Sequence, residues 1–164
     1  MPTDFYTDKD SAWTQWDSGG VNNALNLDGL AALTAQSGVL VDFGAPPRPT
    51  TYEFVSWILC DSAPNVYEIC EWAWRSAESN GDYPTCGLAD TDQNITTLDT
   101  LVGVLPVGNI SVNSASSGVQ FIKRGHFIMP AQKGAPVLVN RLSVALGAGV
   151  VSGFKCRPIW TQAQ

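Results

Sequence analysis

The amino-acid sequence predicts an all-β fold, a jelly-roll-like antiparallel β-sandwich with an extended N-terminal arm. From residue 38 onward, short apolar or alternating runs are separated by clusters of Gly, Pro, Asn, Asp and Ser, a pattern typical of strands joined by turns. About seven or eight such runs occur without a repeat period or a long helical pattern, which favours a sandwich or a barrel. The 164 residues suffice for one compact domain with its own core.

The first strands of the sandwich are predicted from runs that prolines and turn residues bound. Residues 39–43 form the first, and the prolines within residues 45–49 end it because proline cannot donate to a β-ladder. Residues 51–60 (TYEFVSWILC) are rich in β-branched and aromatic side chains, which favour a strand. A turn at residues 62–65 then makes residues 66–75 the expected antiparallel partner.

The later elements follow the same rule. Residues 79–82 (SNGD) predict a tight turn, and residues 89–94 a polar loop. The further candidate strands are residues 98–104, 109–112, 119–129, 137–146 and 153–160. Their apolar side chains supply a core that needs no disulfide or metal for stability.

The N-terminal segment has a different texture. Residues 1–36 contain few apolar residues and no sustained period, so we expect an extended arm there and the sandwich domain over residues 37–164. Trp13 and Trp16 lie in the arm, and indole rings need a surface on which to dock. They either pack on this chain's own sandwich or anchor the arm on a partner, since Trp is enriched among interface anchors.

Charge is divided unevenly along the chain. All 15 acidic residues lie in residues 1–99, together with three basic ones, whereas residues 100–164 contain six basic residues and no acid. Strands from the two parts either interleave and mix their charges, or they form an acidic face and a basic face that meet across copies or on a larger scaffold. The net charge of −6 argues against nucleic acid as a partner, because phosphate binding requires a basic surface.

Targeting and membrane segments are not expected. The first ten residues, MPTDFYTDKD, carry three Asp and one Lys before any apolar run, so the sequence predicts no secretory signal. No window approaches the roughly 18 to 20 consecutive apolar residues of a membrane-spanning helix.

The four cysteines do not form a recognisable motif. Cys60, Cys70, Cys86 and Cys156 contain no CxxC pair, and the chain has a single histidine, so a zinc site would need all four thiolates to converge. Two disulfides in any of three pairings are possible. Without an export signal we expect a reducing environment and free thiols.

Candidate catalytic and metal sites are weak. Residues 90–94 (DTDQN) begin like a calcium loop, but Ile95 and Leu101 stand where glycine and a bidentate glutamate are required. A cysteine nucleophile would need His126 and an orienting group, which no spacing supports. We therefore expect no enzyme, no catalytic residue, no metal and no cofactor.

The carboxylates Glu53, Glu68 and Glu71 lie in adjacent candidate strands. A glycosidase would need two of them a few ångströms apart with opposite protonation states. Strand alternation places Glu68 and Glu71 on opposite faces, which counts against that pair. Charged residues on the solvent face of a sheet are the more ordinary interpretation.

Aromatic residues recur on the two longest candidate strands, with Trp72 and Trp74 on one and Tyr52 and Trp57 on its neighbour. They either form part of the core or, if exposed, offer flat rings on which sugars stack. The second arrangement would make the protein a carbohydrate-binding or receptor-binding module.

The order of segments resembles the head decoration (cement) proteins of tailed bacteriophages. The segments that carry the resemblance are residues 26–33 (NLDGLAAL), 38–42 (GVLVD), 52–59, 66–74, 127–130 (FIMP), 139–142 (VNRL) and 157–158 (RP). It covers most of residues 26–160 as a similarity of texture and order.

The resemblance implies a non-enzymatic jelly-roll virion protein on the capsid exterior, made in the host cytoplasm. Such a protein binds the major capsid protein and itself, as a homo-oligomer expected to be a trimer, and stabilises the capsid by clamping neighbouring capsomers. Nucleic acid and membrane are not implied as partners. Trp13 and Trp16 would be the anchors of the arm. A carbohydrate-binding or receptor-binding component of a tail or fibre is the alternative.

Overall fold

The structure, a computed structural model, describes residues 5–6, 12–19, 22–45, 48–77, 91–98, 101, 103–149 and 152–161. Strands are its regular elements. They are β1 (Phe5–Tyr6), β2 (Thr14–Asp17), β3 (Asn23–Ala24), β4 (Thr34–Ser37), β5 (Val41–Asp42), β6 (Thr51–Leu59), β7 (Ile69–Ala77), β8 (Gln93–Ile95), β9 (Leu105–Ser111), β10 (Gln120–Ile128), β11 (Lys133–Asn140), β12 (Gly153–Pro158) and β13 (Trp160–Thr161).

Two sheets pack face to face. Sheet I has the strand order β10-β6-β12-β2-β3, and sheet II has the order β8-β4-β11-β7-β9, with β5 also paired to β11. β1 and β13 form a separate two-stranded ladder. All pairs are antiparallel except β2 with β3.

The connectivity is that of a jelly roll. Among the eight strands that build the sandwich (β2, β4, β6, β7, β9, β10, β11 and β12), the first pairs with the last, the second with the seventh, the third with the sixth and the fourth with the fifth. This is the pattern of one long hairpin rolled into two sheets, and pairs β6–β12 and β7–β11 complete them. The predicted all-β, jelly-roll-like antiparallel sandwich is confirmed.

The structure departs from the predicted arm over residues 1–36. Residues 14–17 pair with β12 in sheet I, and residues 34–37 pair with β11 in sheet II. Trp16 is fully buried, and its Nε1 donates a hydrogen bond to the Val39 carbonyl at 2.9 Å. Three leucines of the same segment also enter the core: Leu25, Leu27 and Leu30. The described part of the sandwich therefore begins well before residue 37, and residues 1–4, 7–11, 20 and 21 lie outside the described residues.

Aromatic rings fill the space between the sheets. The centroids of Trp74 and Phe127 are 4.8 Å apart, and Phe54 and Phe154 stack at 5.4 Å with planes 9° apart. Trp16 meets Trp74 edge to face at 5.6 Å. Such pairs contribute about 0.5–1.5 kcal/mol beyond their buried area.

Because side chains alternate between the two faces of a strand, three of the four aromatic residues considered for sugar stacking point into the interior. Tyr52, Trp72 and Trp74 are all buried between the sheets, so the exposed sugar-stacking row proposed from Trp72 and Trp74 is not present. Trp57 is five residues from Tyr52 on β6 and so faces the opposite side. A Cβ at Gly134 would collide with the Trp74 indole, which accounts for a glycine inside β11.

Sheet II also has a core on its outer face. Ala35, Ala73, Ile95, Val137 and Val139 form a second buried cluster there. The residues that cover it belong to the candidate strand at 98–104, namely Leu98, Leu101 and Val104. β9 begins just after them, at Leu105. In the described part of the chain, sheet II is thus covered on both faces, whereas most outer side chains of sheet I are half-buried or exposed.

Replacing Trp74 by Ala should lower the free energy of unfolding by about 3–5 kcal/mol, because loss of a buried indole that contacts three rings of the opposite sheet would leave a cavity. Urea unfolding followed by far-ultraviolet circular dichroism measures the loss of unfolding free energy without relying on tryptophan fluorescence. The exposed Ile128→Ala variant serves as the control and should change stability by no more than about 0.5 kcal/mol. A loss for Trp74→Ala as small as that of the control would contradict its position in the core.

Candidate docking site

The outer face of sheet I, here called the open face, collects side chains from four strands. Its members are Trp13, Gln15, Glu53, Val55, Trp57, Ile122, Arg124, His126, Lys155 and Arg157. The register places them in cross-strand rows. One row runs Arg124, Val55, Lys155 and Gln15, so that two cations flank a central valine.

The next row of the open face contains an ion pair. Glu53 lies between His126 and Arg157 in the register, and Arg157 Nε donates to Glu53 Oε1. This pair offsets the charge of Arg157. Among the described residues, Arg124 and Lys155 form no ion pair, so the open face keeps an excess of positive charge.

Trp13 lies on the open face, as one of the two residues predicted to bind a partner. The Lys155 Nζ atom is 4.8 Å from its ring centroid, and the Arg157 Cζ atom is 4.7 Å away. Two cations on one ring fix its position through cation–π attraction. Trp16, the other predicted anchor, faces the core and packs on its own chain.

Two shallow concavities lie side by side on this face. One has a volume of about 350 Å³, and its floor is formed by Val55, Trp57 and Ile122 with Lys155 at the rim. The second has a volume of about 370 Å³ and is bordered by Trp13 and Arg124. Apolar floors with cationic rims suit an apolar side chain surrounded by carboxylates.

A buried carboxylate, that of Asp17, closes one end of the open face. It accepts hydrogen bonds from Gln15 Nε2 at 2.7 Å, Asn22 Nδ2 at 2.6 Å and the Gly19 backbone N–H at 2.9 Å. Burial raises the pKa of this carboxyl, but the three hydrogen bonds outweigh it and hold the pKa below its ordinary value.

A second surface, here called the loop end, is built where three loops meet: residues 25–33, 60–68 and 141–149. The buried amide of Asn140 ties two of them together. Its Nδ2 donates to the carbonyls of Leu30, Ala31 and Val144 at 3.0, 3.2 and 3.0 Å, and its Oδ1 accepts the Leu142 N–H at 3.0 Å. The backbone of the loop end is therefore fixed by a satisfied polar network.

Glu68 joins the third loop to the same network. Its carboxylate accepts the Ser143 N–H at 2.9 Å, the Ser143 hydroxyl at 3.0 Å and Asn65 Nδ2 at 2.9 Å. Desolvation raises the pKa of this carboxyl, but these hydrogen bonds outweigh it, and the pKa is lower than usual.

Two non-glycine residues at the loop end have left-handed backbone conformations. Tyr67 has φ of 75° and Leu33 has φ of 60°, and their side chains are 89% and 63% exposed. Sequence reasoning missed both, since neither position carries the Gly or Asn that favours this conformation. The loop end is also acidic: Asp28 and Asp61 are exposed on two of its loops, and Glu68 lies at the end of the second.

The other residues considered as catalytic or metal-binding candidates form ion pairs and hydrogen bonds within the fold. Glu71 forms an ion pair with Arg141 Nε at 2.6 Å, so Glu53, Glu68 and Glu71 each have separate partners. Asp92 accepts the Asn26 N–H at 2.9 Å and a hydrogen bond from Gln36 Nε2. Asp90 lies outside the described residues, and among the described ones no three His, Cys, Asp or Glu side chains form a metal cluster.

Three of the cysteines are free and buried: Cys60, Cys70 and Cys156. Desolvation raises the pKa of the Cys60 thiol to about 11 and raises those of Cys70 and Cys156 further. Such thiols stay protonated at neutral pH and are poor nucleophiles. Cys86 lies outside the described residues.

No protein-family model matches this chain, and no curated protein sequence matches it. Within the described residues, no helix is long and apolar enough to cross a membrane. The candidate site therefore stands on its own geometry.

Replacing Glu68 by Gln should lower the free energy of unfolding at pH 7 and make that free energy less dependent on pH in the acid range. Because the folded-state pKa of Glu68 is lowered, its stabilisation is fully present above the ordinary value of 4.5 and is lost as pH falls through the folded pKa. Urea unfolding from pH 7 to pH 3 should show the two proteins converging. A difference that stays constant with pH would contradict the hydrogen-bonded carboxylate.

Proposed function

We propose that this protein is a structural component of a bacteriophage virion, which binds the outer surface of the assembled capsid and stabilises it by clamping neighbouring capsomers. The open face supports this proposal: a whole sheet surface lined with cations and indoles, with no catalytic arrangement among its described residues. Its chemistry suits the recognition of an acidic protein surface.

The fold and the sequence resemblance support the virion context. Eight-stranded jelly rolls recur in viral capsid domains and in lectins, although a fold alone does not determine a function. The resemblance to head decoration proteins favours a virion protein over a lectin. The major capsid protein is then the proposed partner, and the capsid exterior is the proposed location.

The open face supplies the proposed physical mechanism. Trp and Arg are the residues most enriched among interface anchors, and both occur there in Trp13, Trp57 and Arg124. Unpaired cations steer an acidic partner and set its register. In an oligomer, proposed as a trimer, several weak contacts act together, so that release from the capsid is slow.

A carbohydrate-binding or receptor-binding module is the second candidate. The burial of Trp72 and Trp74 removes the rings on which that hypothesis first rested. Trp57 now supports it, because its indole is half-buried at the floor of a concavity on the open face. A single accessible ring is a smaller stacking platform than the row expected from the sequence.

The wild-type protein should sediment with capsids of the phage that encodes it, and the double variant Arg124→Glu/Lys155→Glu should remain in the supernatant. Charge reversal removes both unpaired cations of the open face, so binding should also weaken as salt rises. The control Lys123→Glu/Lys133→Glu makes the same change in net charge away from this face and should still sediment.

Failure of the wild-type protein to sediment at low salt would contradict the capsid proposal. If it instead bound an immobilised glycan and Trp57→Ala abolished that binding without lowering the melting temperature, the carbohydrate-binding candidate would replace it. Equal loss of capsid binding in both double variants would show that net charge, and not the open face, controls attachment.

A further inference from the structure

Tyr67 is held in a conformation that an L-residue avoids. A left-handed backbone costs about 1–2 kcal/mol for a residue with a Cβ, and glycine is the usual occupant. The side chain gains no compensating burial, since it is 89% exposed. Strained residues that persist in this way are characteristic of ligand clamps and other functional sites.

The backbone around Tyr67 is rigid. Its N–H donates to the Val112 carbonyl at 2.9 Å, and the Val112 N–H donates to the Glu68 carbonyl at 2.9 Å. The Glu68 N–H donates to the Asn65 carbonyl at 3.3 Å. A ring presented on a fixed backbone loses little conformational entropy when it docks, so it is suited to anchor a partner.

The surroundings of Tyr67 define the chemistry of that partner. Asp28 and Asp61 are exposed at the loop end, and the carboxylate of Glu68 follows Tyr67 directly. Among the described residues, the cation at this end is Arg141, and its charge is offset by Glu71 at 2.6 Å. The partner must therefore offer an apolar pocket with basic residues around it.

The open face of the same protein has these properties. Its concavity of about 350 Å³ has Val55, Trp57 and Ile122 as an apolar floor and Lys155 at the rim. Arg124 adjoins Val55 in the register and adds a second unpaired cation. An exposed aromatic ring on an acidic surface is complementary in polarity and charge to an apolar concavity bordered by Lys155 and Arg124.

We propose that copies of this chain assemble head to tail, with the loop end of one copy docked on the open face of the next and Tyr67 inserted in the concavity over Val55, Trp57 and Ile122. The two surfaces differ, so the contact is heterologous and generates a closed ring when its rotation allows. This inference rests on the proposed function and divides the open face between two partners: the loop end of a second copy occupies the concavity over Val55, Trp57 and Ile122, and the adjacent concavity bordered by Trp13 and Arg124 is left for the capsid.

The test is the solution mass of the full-length protein, measured by light scattering on a sizing column. The wild type should be a closed oligomer, and Tyr67→Gly and Lys155→Glu should each be a monomer near 17.5 kDa. An equal mixture of the two variants should give a heterodimer, because Tyr67 of the Lys155→Glu chain still finds an intact open face on the Tyr67→Gly chain.

The controls separate docking from folding. Tyr67→Gly relieves the left-handed strain, so its melting temperature should equal or exceed that of the wild type. Tyr67→Phe keeps the ring and should keep the oligomer. Contacts with a Kd in the micromolar range form at a protein concentration of about 100 µM. A wild-type protein that is still monomeric at that concentration would overturn the proposal. A variant mixture that stays monomeric would overturn the head-to-tail arrangement.

The same proteins distinguish this inference from the proposed function. A wild-type ring that dissociates in both variants but never sediments with capsids would retain the head-to-tail contact and reject the capsid role. A monomeric wild type that does sediment with capsids would reject the contact and retain the capsid role.

Discussion

The aromatic layer between the two sheets is the interaction on which the remaining structure depends. Trp16, Phe154 and Phe54 come from sheet I, whereas Trp74 comes from sheet II, and their rings meet at centroid distances from 5.4 to 6.2 Å. Because side chains alternate along a strand, committing one set of residues to this layer determines which residues face outward. On sheet II the outward set contains an apolar cluster, which is covered by Leu98 and its neighbours. On sheet I the outward set is charged and aromatic, and it forms the open face.

The loop end depends on a polar constraint of a different kind. The Asn140 amide is fully buried, and the contacts of both its nitrogen and its oxygen are satisfied by backbone groups of neighbouring loops. Glu68 performs the same task from the opposite loop through Ser143. A buried polar group that is fully paired specifies one geometry, since any alternative leaves a donor or acceptor without a partner. Tyr67 directly precedes Glu68 and donates its N–H to the Val112 carbonyl, so relaxation of its left-handed backbone would disturb both that hydrogen bond and the position of Glu68.

The sequence determined the fold class and the long strands better than the N-terminal part or the docking site. β6 and β7 lie close to the predicted residues 51–60 and 66–75, since nine-residue strands rich in β-branched and aromatic side chains show their period locally. β2 and β4 have four residues each, and they become strands through pairing with β12 and β11, more than 100 residues away. No local pattern reports such pairing. The left-handed Tyr67 was missed for the same reason: its conformation depends on a hydrogen bond to Val112.

The uneven charge along the sequence acquires a specific meaning in the jelly roll. Because β12 pairs with β6 and β11 pairs with β7, acidic residues of the first part meet basic residues of the second, as Glu53 meets Arg157 and Glu71 meets Arg141. Interleaving therefore neutralises part of the asymmetry. Among the described residues, Arg124 and Lys155 of the open face remain without an ion pair, and so do Asp28, Asp61 and Glu68 of the loop end. Charged side chains that form ion pairs within the molecule support the register of the strands. Charged side chains without such a pair are available to orient one molecule on another. The two alternatives drawn from the sequence, mixing within one sandwich and complementary faces between molecules, are thus both accommodated by a single topology.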